Sequence, residues 1–240
     1  MMKPAVILVG ADKGGVGKTT LSRAVLDYLA GRNIPARAFD TEAPRGALHR
    51  FHPDETTIVD ITETSDHMRV LDTLNDTLAK TTVIDVRAGM LTETLKVLGN
   101  VGFLDAVNDG HFTFIIIHVL GPSVSSLGEI ADISPYVKDA HYYLAKNHIN
   151  DTTFFEWDPK SYASYFADVQ CAGEITVPKL DEMAYEQVEL NGVSFANFVA
   201  GKQGSFVLRG YVRTWMRNIA SELDAIGLVA LIAPELRRSA

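Results

Sequence analysis

The chain has 240 residues, 47% of them hydrophobic and 22% charged, with a formal net charge of −8 at pH 7. That length suits one large α/β domain with a substantial core, and the acidic balance argues against a protein that coats nucleic acid by overall charge, leaving only local basic patches for that role. The single cysteine, Cys171, excludes an internal disulfide and a cysteine-built metal site within one subunit, and the longest apolar run, FTFIIIHVL, falls short of membrane-spanning length.

Apolar, strand-like runs alternate with helix-like segments, the pattern of a doubly wound, mostly parallel sheet with helices on both faces. The runs predict strands over 5–9, 36–40, 57–61, 81–86, 112–119, 140–146 and 173–177. Apolar residues at helical spacing predict helices over 18–30, 66–79, 90–98, 125–133, 181–190 and 206–224. Ser134-Pro135 should end or kink the helix before it. The chain shows no internal repeat, low-complexity tract or Pro/Gly/Ser-rich linker, so one domain over 1–240 is expected. A glycine loop begins too soon after the N-terminus for a cleavable signal, and a cytoplasmic location is expected.

The first strand leads into GADKGGVGKTT at 10–20 and then into the first helix. Strand, glycine loop, helix is the setting that makes such a loop a triphosphate cradle. Gly14, Gly15 and Gly17, with Val16 between them, bring backbone N–H groups against phosphate oxygens. Lys18 should reach the β- and γ-phosphates, Thr19 should ligate Mg²⁺ through its hydroxyl, and Thr20 continues the first helical turn, whose dipole adds positive potential. The general pattern G-x-x-x-x-G-K-[ST] asks for glycine at position 12, where this chain has Asp12, which would set a negative charge near the γ-phosphate unless its side chain turns away.

With its early lysine, K-G-G-V-G-K-T-T resembles the variant phosphate loop of the ParA/MinD family of P-loop ATPases. The resemblance implies that Lys13 crosses to the nucleotide of a partner subunit while Lys18 serves its own, so that ATP joins two monomers face to face. The lone cysteine separates the chain from the nitrogenase iron-protein and arsenite-pump branches, which use cysteines. With the first strand starting at residue 5, the N-terminal DNA-binding domain that some partition ATPases carry is not expected here.

In an open parallel sheet, ligands sit beyond the C-terminal ends of the strands. The second strand ends in FDTEAPRG, where the family typically has D-x-D-P and the second aspartate orients the attacking water. Asp40 matches the first acid, but Glu42 stands in the second place, with a carboxylate displaced by one methylene. Water held by Glu42 or Asp40 is the expected nucleophile, and that displacement should slow hydrolysis. The alternative is that both acids merely end a strand in a solvated loop.

The fourth strand runs through TTVIDVRAG. Asp85 is the expected acid that holds a Mg²⁺-bound water, and the Gly89 N–H is placed to sense the γ-phosphate. Arg87 between them reads as an exposed side chain, with phosphate or partner contact as the other option. Asn147 ends the next-to-last strand and resembles the family asparagine that reads the adenine edge. Pro178 resembles a proline near the base. With no N-K-x-D guanine motif in the chain, ATP is preferred over GTP.

On the last long helix Arg209, Arg213 and Arg217 recur every four residues and form one positive stripe. It serves either non-specific DNA binding, as in some partition ATPases, or ion pairs on a solvated face. Phe206, Tyr211, Val212, Trp215 and Ile219 supply apolar groups to dock that helix. The ending IAPELRRSA is too short and too little amphipathic for a membrane-targeting helix of the MinD type, so no membrane partner is expected. His49 and His52, the one tight histidine pair, read as loop residues without a metal.

The resemblance covers residues 1 to about 180 and implies a Mg-ATP switch. ATP would dimerise the chain, the dimer would engage DNA or a protein cargo, and slow, partner-stimulated hydrolysis would release it. FDTEAP is also similar to small ParA-like proteins encoded near plasmid partition, stability or conjugative-transfer genes. Two other classes compete. One is a metabolic P-loop enzyme resembling dethiobiotin synthetase or the cobyrinate amidases, which often lack the early lysine. The other is a non-hydrolysing regulatory binder in which Asp12 and Glu42 have spoiled catalysis.

Overall fold

The computed structural model describes residues 3–74, 79–149, 153–156, 164–165, 167, 169–202 and 204–234. Seven strands form one sheet: β1 Ala5–Gly10, β2 Ala36–Asp40, β3 Thr56–Ile58, β4 Thr81–Asp85, β5 Thr113–Leu120, β6 His141–Asn147 and β7 Gly173–Val177. Their order is β3-β2-β4-β1-β5-β6-β7, and every adjacent pair is parallel. The expected "mostly parallel" sheet is thus parallel throughout.

Ten α-helices are described: α1 Lys18–Ala30, α2 Ala47–Phe51, α3 Thr64–Asp72, α4 Leu91–Asn100, α5 Phe103–Asn108, α6 Val124–Ile133, α7 Glu182–Asn191, α8 Phe195–Ala200, α9 Phe206–Ala225 and α10 Leu228–Ile232. The predicted helix at 66–79 corresponds to α3, which begins earlier and stops at Asp72, and residues 75–78 lie outside the described residues. Strand β3 is shorter than predicted, ending at Ile58. The helices α2, α5, α8 and α10 are too short to show an apolar period, and sequence reading missed them. Helix α6 ends at Ile133 and a single 3₁₀ turn over Ser134–Tyr136 follows, as the serine-proline pair predicts.

The alternation of side chains along each strand divides the core in two. From β1, Ala5, Ile7 and Val9 pack on one face with Leu21 and Val25 of α1 and with Val212, Trp215 and Ile219 of α9. Val6 and Leu8 pack on the other with Leu91 and Leu95 of α4 and Leu127 and Ile130 of α6. Burial on both faces explains why β1 and β5 read as unbroken apolar runs.

Strand β1 lies at the middle of the sheet, between β4 and β5, where the connections change direction. A crevice opens beyond the strand ends at such a point. The ends of β1, β2 and β4 are in register, Val9 beside Asp85 and Asp85 beside Asp40. Val9, Asp40 and Asp85 therefore meet at the C-terminal ends of the central strands. Among the described residues no helix is long and apolar enough to cross a membrane, and residues 235–240 of the terminal IAPELRRSA lie outside them.

Candidate functional site

The loop from β1 to α1 is shaped by Gly15 and Gly17, whose φ angles of 73° and 91° lie in the left-handed region that favours glycine. Gly17 is the N-cap of α1, so the first amides of the helix face the loop. Lys18 is buried, and its ammonium donates to the Lys13 carbonyl at 2.9 Å. Burial lowers its pKa, opposed by the field of Asp85, Glu129, Asp12 and Glu42. Lys13 points the other way, exposed, its ammonium donating to Ser125 Oγ at 3.1 Å on α6. The two lysines of the motif therefore serve different sides of the loop.

Asp85, at the end of β4, is with Asp40 one of two buried acids of the crevice. Thr19 Oγ1 donates to its Oδ2 and Ser22 Oγ to its Oδ1, each at 2.7 Å. Burial pushes its pKa up to about 7 and Asp40 beside it adds to the rise, while the two hydroxyls and Lys18 oppose it. A buried carboxylate so short of positive charge is a fitting neighbour for a divalent cation, and hydroxyl and carboxylate oxygens are the ligands Mg²⁺ prefers. Among the described residues no group of three or more His, Cys, Asp or Glu forms a self-sufficient metal cage. A cation held at Thr19 would thus need a ligand's oxygens to complete its shell.

The crevice has two connected parts. One, about 310 Å³, is lined by Lys18, Thr19, Asp85, Arg87 and Glu42. The other, about 420 Å³, is lined by Asn147, Ile149, Pro178, Leu180 and Trp215. Gly15, Gly17, Thr20 and Tyr185 border both. A charged half beside an apolar half suits a phosphate chain and a flat ring, respectively. A larger cavity of about 590 Å³ lies at the start of β2, beside Pro35, Ala36, Asp27 and His52, and includes none of these groups.

Several expected site residues have other partners. Asp40 is buried, its Oδ1 accepting from Glu42 N at 3.0 Å and its Oδ2 from Leu48 N at 2.7 Å and His49 N at 3.2 Å. It caps α2, whose N-cap residue is Gly46, and its oxygens are engaged with backbone donors rather than turned to a water. Asp40 and Glu42 both line the crevice, Asp40 buried with its oxygens on backbone amides and Glu42 exposed.

Asp12 also turns away from the crevice. Its carboxylate accepts from Leu91 N at 2.7 Å and from Thr92 Oγ1 at 2.6 Å, so the repulsion feared for this acid does not arise. The Gly89 N–H, expected to face the γ-phosphate, instead donates to the Asp12 carbonyl at 2.8 Å. Asn147 donates its Nδ2 to the Val16 carbonyl at 2.7 Å, which leaves its Oδ1 as the atom that can face a ring edge. The Pro178 carbonyl accepts from Trp215 Nε1 at 2.7 Å, fixing the far wall. Arg87 is an exposed side chain on the crevice rim, and its backbone N–H donates to Thr41 Oγ1.

Sequence reading missed Glu129. This α6 carboxylate accepts the backbone N–H of Asp12 at 2.7 Å and of Lys13 at 2.6 Å. Behind it His118 and Tyr142 continue a buried hydrogen-bonded chain. The available signal was an acid three residues after buried Ser126, on the inward side of an apolar helix. Ser22, three residues after Thr19, carried the same kind of signal.

Helix α9 contains the arginine stripe. Arg209 donates to the Gly204 carbonyl, whereas Arg213 and Arg217 are exposed and form no ion pair among the described residues. Val212, Trp215 and Ile219 dock the helix, while Phe206 and Tyr211 are exposed. His49 lies in α2 and not in a loop, and His52 is buried at its end, where burial and the nearby Arg23 lower its pKa to about 4.

No protein-family model matches the chain, and no curated protein sequence matches it. Solved structures do. The septum site-determining protein MinD complexed with Mg-ADP, from Pyrococcus horikoshii OT3, is similar at 16% identity and TM-score 0.55, over 94% of this chain and 98% of that one. A protein from Borrelia burgdorferi B31 assigned to plasmid partition, bound to AMPPNP, is similar at 12% identity and TM-score 0.55, over 93% and 99%. The MinD cell division protein of Aquifex aeolicus is similar at 14% identity and TM-score 0.51, over 89% and 97%. At these identities the likeness shows the fold: a P-loop α/β fold of the ParA/MinD type.

Proposed function

We propose that this chain is a Mg-ATP-dependent switch that dimerises across its nucleotides and acts on DNA or a protein cargo. The observation that carries the reading is the placement of Lys18, Thr19 and Asp85 around one cleft while Lys13 faces outward beside α6. A phosphate chain in the charged half would meet the loop amides and the Lys18 ammonium, with its base in the apolar half beside Pro178 and Asn147. Bound Mg²⁺ would supply positive charge to the β- and γ-phosphates.

The rest falls to the chain's own groups. Lys18 would exchange the Lys13 carbonyl for phosphate oxygens. Asp85 would accept a hydrogen bond from a water, and Glu42 would orient a second water in line with the γ-phosphorus. Attack there breaks the bond to the β-bridging oxygen and yields ADP, phosphate and a proton. The Lys13 side chain, tied among the described residues to one serine hydroxyl, would be free to reach a second copy. Arg213 and Arg217 would offer phosphate-binding charge to DNA.

The experiment is a size measurement by light scattering with ADP, ATP and AMPPNP, on the unaltered chain and on Lys13→Ala. The expected result is an ATP- or AMPPNP-dependent dimer that Lys13→Ala abolishes while nucleotide still binds. A dimer unchanged in that variant would overturn the role given to Lys13.

A second reading, a nucleotide-dependent binder that does not turn over, is favoured by one observation: the Asp40 oxygens accept three backbone amides, so the attacking water falls to Glu42, one methylene longer than the expected acid. Phosphate release measured at saturating Mg-ATP separates the two.

A further inference from the structure

Helix α4 begins without a cap of its own. Met90 stands at its N-cap position and makes no side-chain cap bond. The first amides of a helix need acceptors, and a negative charge beside them meets the positive end of the dipole. Asp12 supplies both from the far end of the sequence. Its Oδ1 accepts from Leu91 N at 2.7 Å and from Thr92 N at 3.4 Å, and its Oδ2 from Thr92 Oγ1 at 2.6 Å. Its backbone carbonyl accepts from Gly89 N at 2.8 Å. One residue thus fastens the whole stretch 89–92, and the next residue in the chain is Lys13.

These bonds differ in kind. The main-chain bond uses the one N–H of Gly89, so it competes with any γ-phosphate that takes that N–H. The side-chain bonds to Leu91 and Thr92 lie beyond the crevice and do not compete. We infer that Asp12 is a positioning residue for the loop of residues 86–90: its carboxylate is a retained pivot at α4, and its carbonyl is a placeholder that a γ-phosphate displaces. ADP makes no such demand on Gly89. The pivot therefore contributes to discrimination between triphosphate and diphosphate. With the pivot removed, the loop keeps only bonds near its β4 end against a γ-phosphate, Val86 N to Val9 O at 3.0 Å and Arg87 N to Thr41 Oγ1 at 2.8 Å among the described residues, and ordering its far end becomes costly.

The inference deepens the proposed nucleotide reading and rests on it. Its sign is opposite to that of simple repulsion, because an acid that merely faced the γ-phosphate would weaken triphosphate binding and its removal would strengthen it.

The test is calorimetric titration of Mg-AMPPNP and Mg-ADP into the unaltered chain, Asp12→Ala, Asp12→Asn and Thr92→Val, with hydrogen exchange at the Leu91 and Thr92 amides. Asp12→Ala is expected to weaken AMPPNP about tenfold and ADP by less than about twofold, and to speed exchange at both amides. Asp12→Asn keeps one acceptor for Leu91 N and should restore AMPPNP affinity to within about threefold. Thr92→Val, which removes only the hydroxyl bond, should shift AMPPNP in the same direction by less. Equal losses for the two nucleotides, unchanged exchange, or tighter AMPPNP binding in Asp12→Ala would each overturn the inference alone. Failure of the unaltered chain to bind either nucleotide would overturn the nucleotide reading and this inference together. If Asp12→Ala does not fold, the Asp12→Asn and Thr92→Val titrations decide by the same ratio.

Discussion

The Lys18 ammonium and the Lys13 carbonyl are joined by a hydrogen bond of 2.9 Å, so the two lysines that bracket the glycine loop are linked through the loop's own backbone. Lys18 is turned inward toward Asp85 and the crevice. The Lys13 side chain leaves in the other direction, to Ser125, and its backbone N–H is taken by Glu129. The loop is therefore braced from beneath by a carboxylate while its phosphate-facing side keeps a lysine whose charge burial disfavours. A phosphate chain would relieve that penalty.

Replacing Lys18 should separate binding from folding. Lys18→Met removes a buried cation and keeps the stem's volume, so thermal stability should be unchanged or slightly higher. Nucleotide affinity should fall by about 100-fold or more, the loss of a charge-assisted contact to two phosphates. Differential scanning fluorimetry with and without Mg-ADP checks both: the unaltered chain should be stabilised by nucleotide and the variant should not.

Shortening Glu42 should accelerate the chemistry. Glu42→Asp moves the carboxylate back by one methylene, and if Glu42 orients the attacking water, turnover should rise by about tenfold, whereas Glu42→Ala should abolish it. Phosphate release under single-turnover conditions is the measurement. An equal rate in all three chains would remove Glu42 from the reaction.

Asp27 should make stability depend on pH. Burial pushes its pKa up from 3.8 to about 6, against the opposing hydrogen bonds from Ala196 and Ser194 and the charge of Arg23. The folded state therefore holds the proton more tightly than the unfolded state. This stabilisation is complete below pH 3.8, is lost as pH rises through about 6 and stays lost above. The shift corresponds to a loss on the order of 3 kcal/mol. Asp85, raised to about 7, contributes with the same sign, so the difference between chains isolates Asp27. Urea denaturation of Asp27→Asn should lack this part of the slope between pH 4.5 and 8, the window about these pKa values, and the variant should be the more stable chain at the upper end.

Arg213 and Arg217 of α9, which form no ion pair among the described residues, should govern any binding to DNA. The double variant Arg213→Glu and Arg217→Glu should weaken binding of a duplex in the presence of Mg-AMPPNP by about 100-fold and flatten its salt dependence. Thermal stability should change little, because both side chains are exposed. Fluorescence anisotropy at two salt concentrations reads the outcome, and an unchanged affinity would assign DNA no place on this helix.

Much of the architecture was legible in the order of residues. Strand β2 and helix α1 fall where the apolar pattern predicts them, and β5 and α9 differ by a residue or so at their ends. These elements carry long periods or unbroken apolar runs. Helices α2, α5, α8 and α10 do not; they owe their existence to caps and neighbours. Asp40 stabilises α2 from the end of β2, and Asp27 Oδ2 accepts from Ala196 N at the start of α8. The same limit applied to the site. Thr19 and Asp85 were recognisable from their motifs, but Glu129 belonged to none.

The residues between β1 and α1 determined by themselves that a glycine loop would open onto a helix, because left-handed backbone and a strand-helix junction are local properties. Only the folded molecule decided which acids are available to a ligand. Asp12 and Glu129 are occupied by amides of distant segments and Asp40 by amides of the turn that follows it, whereas Asp85 is left with two hydroxyls and Glu42 lines the crevice exposed. A carboxylate commits to whatever donors come within about 3 Å, and packing rather than chain spacing sets which donors those are.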